Sequence, residues 1–125
     1  MNLERLKIWR DACLNAQSKG RGFDISTWRG RGTTCLGGDL AHYPEAWRLG
    51  VGVDRASGGP TLNGTTGIDA LLEFLQVSKS GGHYEWVLCL ITGSALVYGQ
   101  TPHKEITRAD GIAAIEAKIK ELETA

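Results

Sequence analysis

The sequence has no surplus of charge of either sign: Lys plus Arg and Asp plus Glu both number 14. A neutral chain gains little of the counterion-release free energy that drives binding to DNA, and it is no acidic mimic of DNA either. Long apolar runs are missing too. Nothing approaches the roughly 18 consecutive apolar residues of a membrane span, and Met1 is followed by a polar start rather than the apolar core of a signal peptide. The expectation is a cytoplasmic protein with no membrane contact. Cysteine is scarce, and Cys13, Cys35 and Cys89 are odd in number and far apart, which suits reduced core thiols better than a disulfide framework. Internal repeats and low-complexity tracts are lacking.

Common catalytic signatures are also absent. The run from Gly93 to Thr101 has no lysine of a phosphate-binding loop, and no Gly-x-Gly pair sits between a clear strand and a helix. Ser57 and Ser94 have no nucleophile-elbow context.

What remains is an ordinary folded composition. With 125 residues, 42% apolar and 22% charged, residues 1–125 suit a single globular domain with one core. Residues 2–19 read as an amphipathic helix capped by Asn2, with Leu6, Trp9, Cys13 and Ala16 at helical spacing and Gly20 as its stop. A short helix follows from Thr33 or Thr34 to about His42, with a threonine as its cap, and a turn from Pro44 to Arg48 that buries Ala46 and Trp47. Val51 and Val53, the turn residues 57–60, and Thr61 and Leu62 predict a β-hairpin. Thr66 and Asp69 form a capping pair before Ile68, Leu71, Leu72 and Leu75.

Trp86 to Ile91 is apolar throughout and fits a buried helix or a buried strand; its low β-branched content favours a helix over 83–92, then an extended stretch at 95–98. Thr107 and Asp110 cap a last helix carrying Ile112, Ile115, Ile119 and Leu122. The fold class is α+β, mostly helical: four or five helices around one core with a small β-hairpin.

The densest mixture lies between Phe23 and Gly50, where tryptophans, a cysteine, a histidine and many glycines occur together. Phe23, Ile25 and Trp28 stand in a glycine-punctuated linker, and their apolar character predicts that they plug into the core. The adjacent Gly37 and Gly38 inside a helix predict that another element packs against its backbone, with Trp9 of the first helix as the candidate. The expected core comprises Trp9, Phe23, Trp28, Cys35, Trp47, Leu71, Leu75 and Ile115.

The functional candidates are few. Cys35 beside a helix start, with His42 or His83 as base, is the one arrangement resembling an activated nucleophile; a buried, inert thiol is the reading preferred, so no catalytic residue is assigned. Cys35, His42, His83 and Cys89 match no usual zinc spacing, and no metal or cofactor is expected. Residues 1–31 hold seven basic side chains, Arg5, Lys7, Arg10, Lys19, Arg21, Arg29 and Arg31, against Glu4, Asp11 and Asp24. Arg29 and Arg31 are the binding candidates. Flanked by Trp9, Trp28, Trp47 and Tyr43 they could serve single-stranded nucleic acid, but core tryptophans are the preferred reading and nucleic acid is not the expected partner. Loops at 57–64 and 99–104 are candidate contact surfaces.

Phe23, Asp24 and Ile25, then Trp28, then Gly32, Thr33, Cys35 and Gly38 carry a resemblance. The segment resembles the signature of a group of small phage and prophage proteins with Phe-Asp-Met, a tryptophan soon after, Cys-Gly-Thr, a second cysteine and a glycine three residues beyond it. The likeness extends through Pro44 and the helices at 68–77 and 106–122. Arg31 stands where the group has its first cysteine and Asp39 where it often has an aromatic residue or histidine, so a disulfide or metal role for a cysteine pair does not carry over. The resemblance implies a phage or prophage origin. Together with the neutral charge it leads to a small protein without chemistry of its own that binds a host or phage protein, such as a defence component; a Cys35/His42 enzyme and a weak nucleic-acid accessory protein are the alternatives.

Overall fold

The computed structural model describes residues 1–93 and 106–125. The extended stretch expected at 95–98 and the loop at 99–104 lie outside the described residues. In chain order the elements are α1 (Leu3–Ser18), β1 (Gly22–Phe23), β2 (Thr33–Thr34), α2 (Leu36–Ala41), α3 (Pro44–Trp47), β3 (Gly52–Val53), β4 (Pro60–Leu62), β5 (Thr65–Thr66), α4 (Gly67–Leu75), α5 (Gly82–Thr92) and α6 (Arg108–Glu123). The protein is α+β and mostly helical, with six helices among the described residues, the extra one over the expected range being the single turn α3.

α1 and α6 are set by local signals. The Asn2 side chain accepts from the Arg5 backbone N–H at 3.0 Å, satisfying an otherwise orphaned donor. Thr107 and Asp110 form a reciprocal capping box at the start of α6. These two helices pack extensively against each other, and their buried faces (Leu6, Trp9 and Cys13; Ile112, Ile115 and Ile119) join α4 and α5 in one hydrophobic cluster. Trp9 is fully buried at its centre. Its indole N–H donates to the Leu36 carbonyl at 2.9 Å, so the polar end of the ring is paired. Trp86 of α5 meets it edge-on, with ring centroids 6.3 Å apart.

The hairpin appears as expected, β3 antiparallel to β4 with Gly52 opposite Thr61, and a third strand is added when β5 folds back on β4. The run 86–91 is helical, within α5.

Four local expectations are corrected. The cap of α2 is Cys35, whose sulfur accepts from the Gly38 N–H at 3.4 Å; neither threonine caps, because Thr33 and Thr34 are taken up as β2, paired in parallel with Gly22 and Phe23. The element against Gly37 and Gly38 is Trp28, whose ring and carbonyl lie where a Cβ on either glycine would stand. Trp47 is no core residue, being 50% exposed while Ala46 is fully buried. A one-turn helix can turn only one of two neighbouring side chains inward, and the Trp47 indole instead lies across the surface, its N–H donating to the Ala41 carbonyl at 2.7 Å. Thr66 makes no side-chain cap for α4, and Asp69 pairs with Lys79 at 2.9 Å.

Candidate functional site

The segment from Arg21 to Thr34 leaves and returns to the same place. β1 and β2 pair in parallel, and the loop between them is held internally: the Asp24 carboxylate accepts from the Ser26 N–H at 3.0 Å, Gly30 N–H donates to the Thr33 carbonyl at 2.9 Å, and Cys35 N–H donates to the Thr27 carbonyl at 3.1 Å. The Asp24 contact, to a backbone amide two residues on, is the local bond that a short aspartate side chain readily makes in a turn. Phe23 and Trp28 are partly buried and rest against the edge of the core instead of plugging into it as their apolar character predicts, and Ile25 lies over Gly93 at the end of α5.

A single side chain from the far end of the protein fastens this loop. Arg108, the first residue of α6, is 6% exposed and points inward beneath β1 and β2. Its Nε donates to Asp39 at 2.8 Å and its Nη2 to the other carboxylate oxygen at 3.2 Å. The remaining N–H groups reach the carbonyls of Arg21 at 2.5 Å, Gly22 at 3.0 Å and Thr34 at 3.3 Å, and the Thr34 hydroxyl oxygen at 3.0 Å. The Phe23 ring lies 5.4 Å from the guanidinium carbon, within range of a cation–π contact.

Asp39 is fully withdrawn from solvent. Burial pushes its carboxyl above the usual range, while Arg108 and the Thr34 hydroxyl, which donates at 2.5 Å, pull the other way. A buried ion pair is tolerable only with its remaining hydrogen-bonding groups satisfied, and the backbone carbonyls of the loop base complete that set. Arg108 and Asp39 are separated by 69 positions. No periodicity or motif links them, and sequence reasoning had no signal for the pair.

Above this clasp the loop opens into a cleft of about 210 Å³ lined by Arg21, Arg29, Gly30, Gly32, Thr33, Thr34 and His42. Among the basic residues near the amino terminus, Arg5 is occupied over the Phe74 ring, Lys7 pairs with Glu123 and Arg10 with Asp11. Arg21 and Arg29 enter no ion pair among the described residues, and the Arg29 guanidinium reaches the Arg55 carbonyl at 3.5 Å. Burial and the charges of Arg21 and Arg29 lower the pKa of His42, against a smaller upward push from the Gly58 backbone, and its Nε2 is buried without a hydrogen-bond partner among the described residues. The imidazole is therefore neutral at neutral pH. Arg31 is exposed and does not line the cleft, so of the two predicted binding arginines the structure brings only Arg29 to it, with Arg21 beside it.

Cys35 faces elsewhere. It is 3% exposed, on the wall of a separate cavity shared with Ile25, Ser26, Thr27, Trp28, Ile91 and Thr92, and among the described residues no histidine lines that wall. Burial pushes its thiol pKa up in spite of the Gly38 and Gly37 amides, and Cys13 is pushed well above its ordinary value by burial and by Asp39. Both are protonated thiols at neutral pH, the unreactive form. Native Cys35 should therefore be alkylated by iodoacetamide at least about tenfold more slowly than in the urea-unfolded chain. Peptide mapping of the labelled protein reads this out, and equal rates would overturn the placement of the sulfur.

Among the described residues no group of three or more His, Cys, Asp or Glu is placed to hold a metal ion, and no helix is long and apolar enough to cross a membrane. No known family, curated protein or solved structure matches the chain.

Proposed function

We propose that this is a small phage-type protein that acts in the host cytoplasm by binding a protein of the host or the phage, without chemistry of its own, and that the contact is made through the cleft between Arg21, Arg29 and His42. One observation carries the reading: Arg21 and Arg29, neither with a carboxylate partner among the described residues, line one open cleft together with Thr34, whose carbonyl and hydroxyl are held by the buried Arg108–Asp39 pair. Isolated surface arginines are ordinary, but two on the lining of one cleft whose base is fastened from beneath offer a charged partner a partly pre-organised surface, which reduces the ordering cost of binding. Electrostatic complementarity of this kind sets association rate and specificity. The raised thiol pKa values of Cys13 and Cys35 support the non-catalytic half of the reading.

The test is affinity capture from host lysate with three baits. The unmodified protein and Cys35→Ser should retain the same partner, and the double variant Arg21→Glu/Arg29→Glu should lose it by about a hundredfold, two charge-assisted contacts being removed and reversed. A partner retained equally by all three baits would place the interface elsewhere. Loss with Cys35→Ser alone would favour the cysteine enzyme.

A further inference from the structure

We infer that the Arg21–Arg29–His42 cleft is a site for a phosphate-monoester dianion. The inference rests on the binding reading above and names the chemistry of the group recognised. Charge is the first argument. Among the described residues the lining includes Arg21 and Arg29 and no acidic residue, and Asp39, on which the Arg21 charge also acts, is already paired with Arg108 at 2.8 Å. With the imidazole neutral, the cleft presents two positive charges, which a dianion balances and a single carboxylate does not.

Geometry is the second argument. Arginine presents a planar fork of donors that matches two phosphate oxygens at once, a fit that a lysine point charge lacks. Gly30, Gly32 and Thr33 add small residues and backbone to the lining beside the two arginines. Size is the third. At about 210 Å³ the cleft falls short of the roughly 300 Å³ at which pockets for drug-sized ligands begin, so it takes a compact anionic head while whatever bears it stays outside.

The site is stiff where it needs to be. The carbonyls of Arg21, Gly22 and Thr34 are tied to Arg108, so the backbone carrying Arg21 and Thr33 is fixed, and an anion has to draw the Arg29 guanidinium from only one long contact, the Arg55 carbonyl at 3.5 Å. A phosphate monoester of this kind comes from two sources, a free small molecule or a phosphorylated side chain on a protein.

Titration of the isotope-labelled full chain, followed by amide chemical shifts, distinguishes them. The probes are inorganic phosphate, a short Gly/Ser peptide bearing one phosphoserine, and the same peptide unphosphorylated. Phosphate and phosphopeptide are expected to shift Gly30, Gly32, Thr33 and His42 at millimolar concentration or below, and the unphosphorylated peptide is expected to leave them in place. Arg21→Ala and Arg29→Ala should each weaken binding about tenfold to a hundredfold, and Arg31→Ala, outside the cleft, should not.

Tighter binding of the phosphopeptide than of inorganic phosphate assigns the group to a protein partner. The opposite order keeps the phosphate site but assigns it to a small molecule, and it then counts against the protein-binding reading alone. Unmoved cleft amides with both phosphate probes, or an equal loss with Arg31→Ala, overturn the inference. A partner still captured through Arg21 and Arg29 in that case would leave the binding reading standing without it.

Discussion

Replacing Asp39 with alanine is expected to lower the free energy of unfolding by about 3–5 kcal/mol, the cost of leaving a buried charge without its partner. The carboxylate takes two of Arg108's donors, at 2.8 and 3.2 Å, and the Thr34 hydroxyl. Once it is gone, the guanidinium keeps its backbone contacts and loses its counter-charge. A domain of this size is stable by only about 5–15 kcal/mol, so the variant should unfold at a much lower urea concentration, measured by circular dichroism. The double variant Asp39→Leu/Arg108→Met should recover part of the loss, since replacing both members with apolar residues is often neutral or better. A single-variant loss below about 1 kcal/mol would mean that water reaches the pair, contrary to its burial.

Gly38→Ala sets two effects against each other. In a helix interior alanine is favoured over glycine by about 1 kcal/mol, so propensity alone predicts a more stable protein. The added Cβ, however, would stand on the Trp28 carbonyl oxygen, and a neighbouring Cβ at Gly37 would stand on the Trp28 ring. A carbonyl belongs to the backbone and cannot swing away as a side-chain tip can, so the loop must move. Overpacking of this kind costs about 1–3 kcal/mol and occasionally more, and at a backbone contact the steric effect wins. A net loss of about 2–3 kcal/mol is expected by chemical denaturation, with Trp28 fluorescence shifted as its ring leaves the slot between Gly37, Gly59 and Gly67. A Gly38→Ala variant as stable as the parent would show that the tryptophan does not lie there.

How far the fold could be read from the chain followed the range of the interactions. α1, α4 and α6 were legible because each is specified within its own residues: Asn2 before Leu6 and Trp9, Thr107 with Asp110, the i, i+3, i+4 spacing of Ile68, Leu71 and Leu72. The hairpin was legible for the same reason. α5, whose uniformly apolar run also fits a strand, was only favoured as a helix by its low β-branched content. The reading failed where a distant partner decided the outcome. Thr33 and Thr34 look like helix caps until Gly22 and Phe23 pair with them, and the cap then passes to Cys35. Trp47 looks like core in a protein short of large residues, but a single helical turn had already spent its inward position on Ala46.

The candidate site was half legible. A basic, glycine-rich loop was visible and Arg29 was singled out within it, whereas Arg21 was read as part of a general basic stretch and His42 as a partner for Cys35. What put Arg21, Arg29 and His42 around one opening is the parallel pairing of β1 with β2 and the Arg108 anchor, and neither leaves a trace in local sequence.

That anchor also orders events during synthesis. The loop and both arginines of the cleft leave the ribosome early, yet the side chain that clamps their backbone arrives with residue 108. Until then Asp39 has no counter-ion and the parallel pair lacks its staple. A chain halted short of α6 would carry every residue of the cleft and lack the guanidinium that ties the base of its loop, so the form of the opening waits on a residue that does not line it.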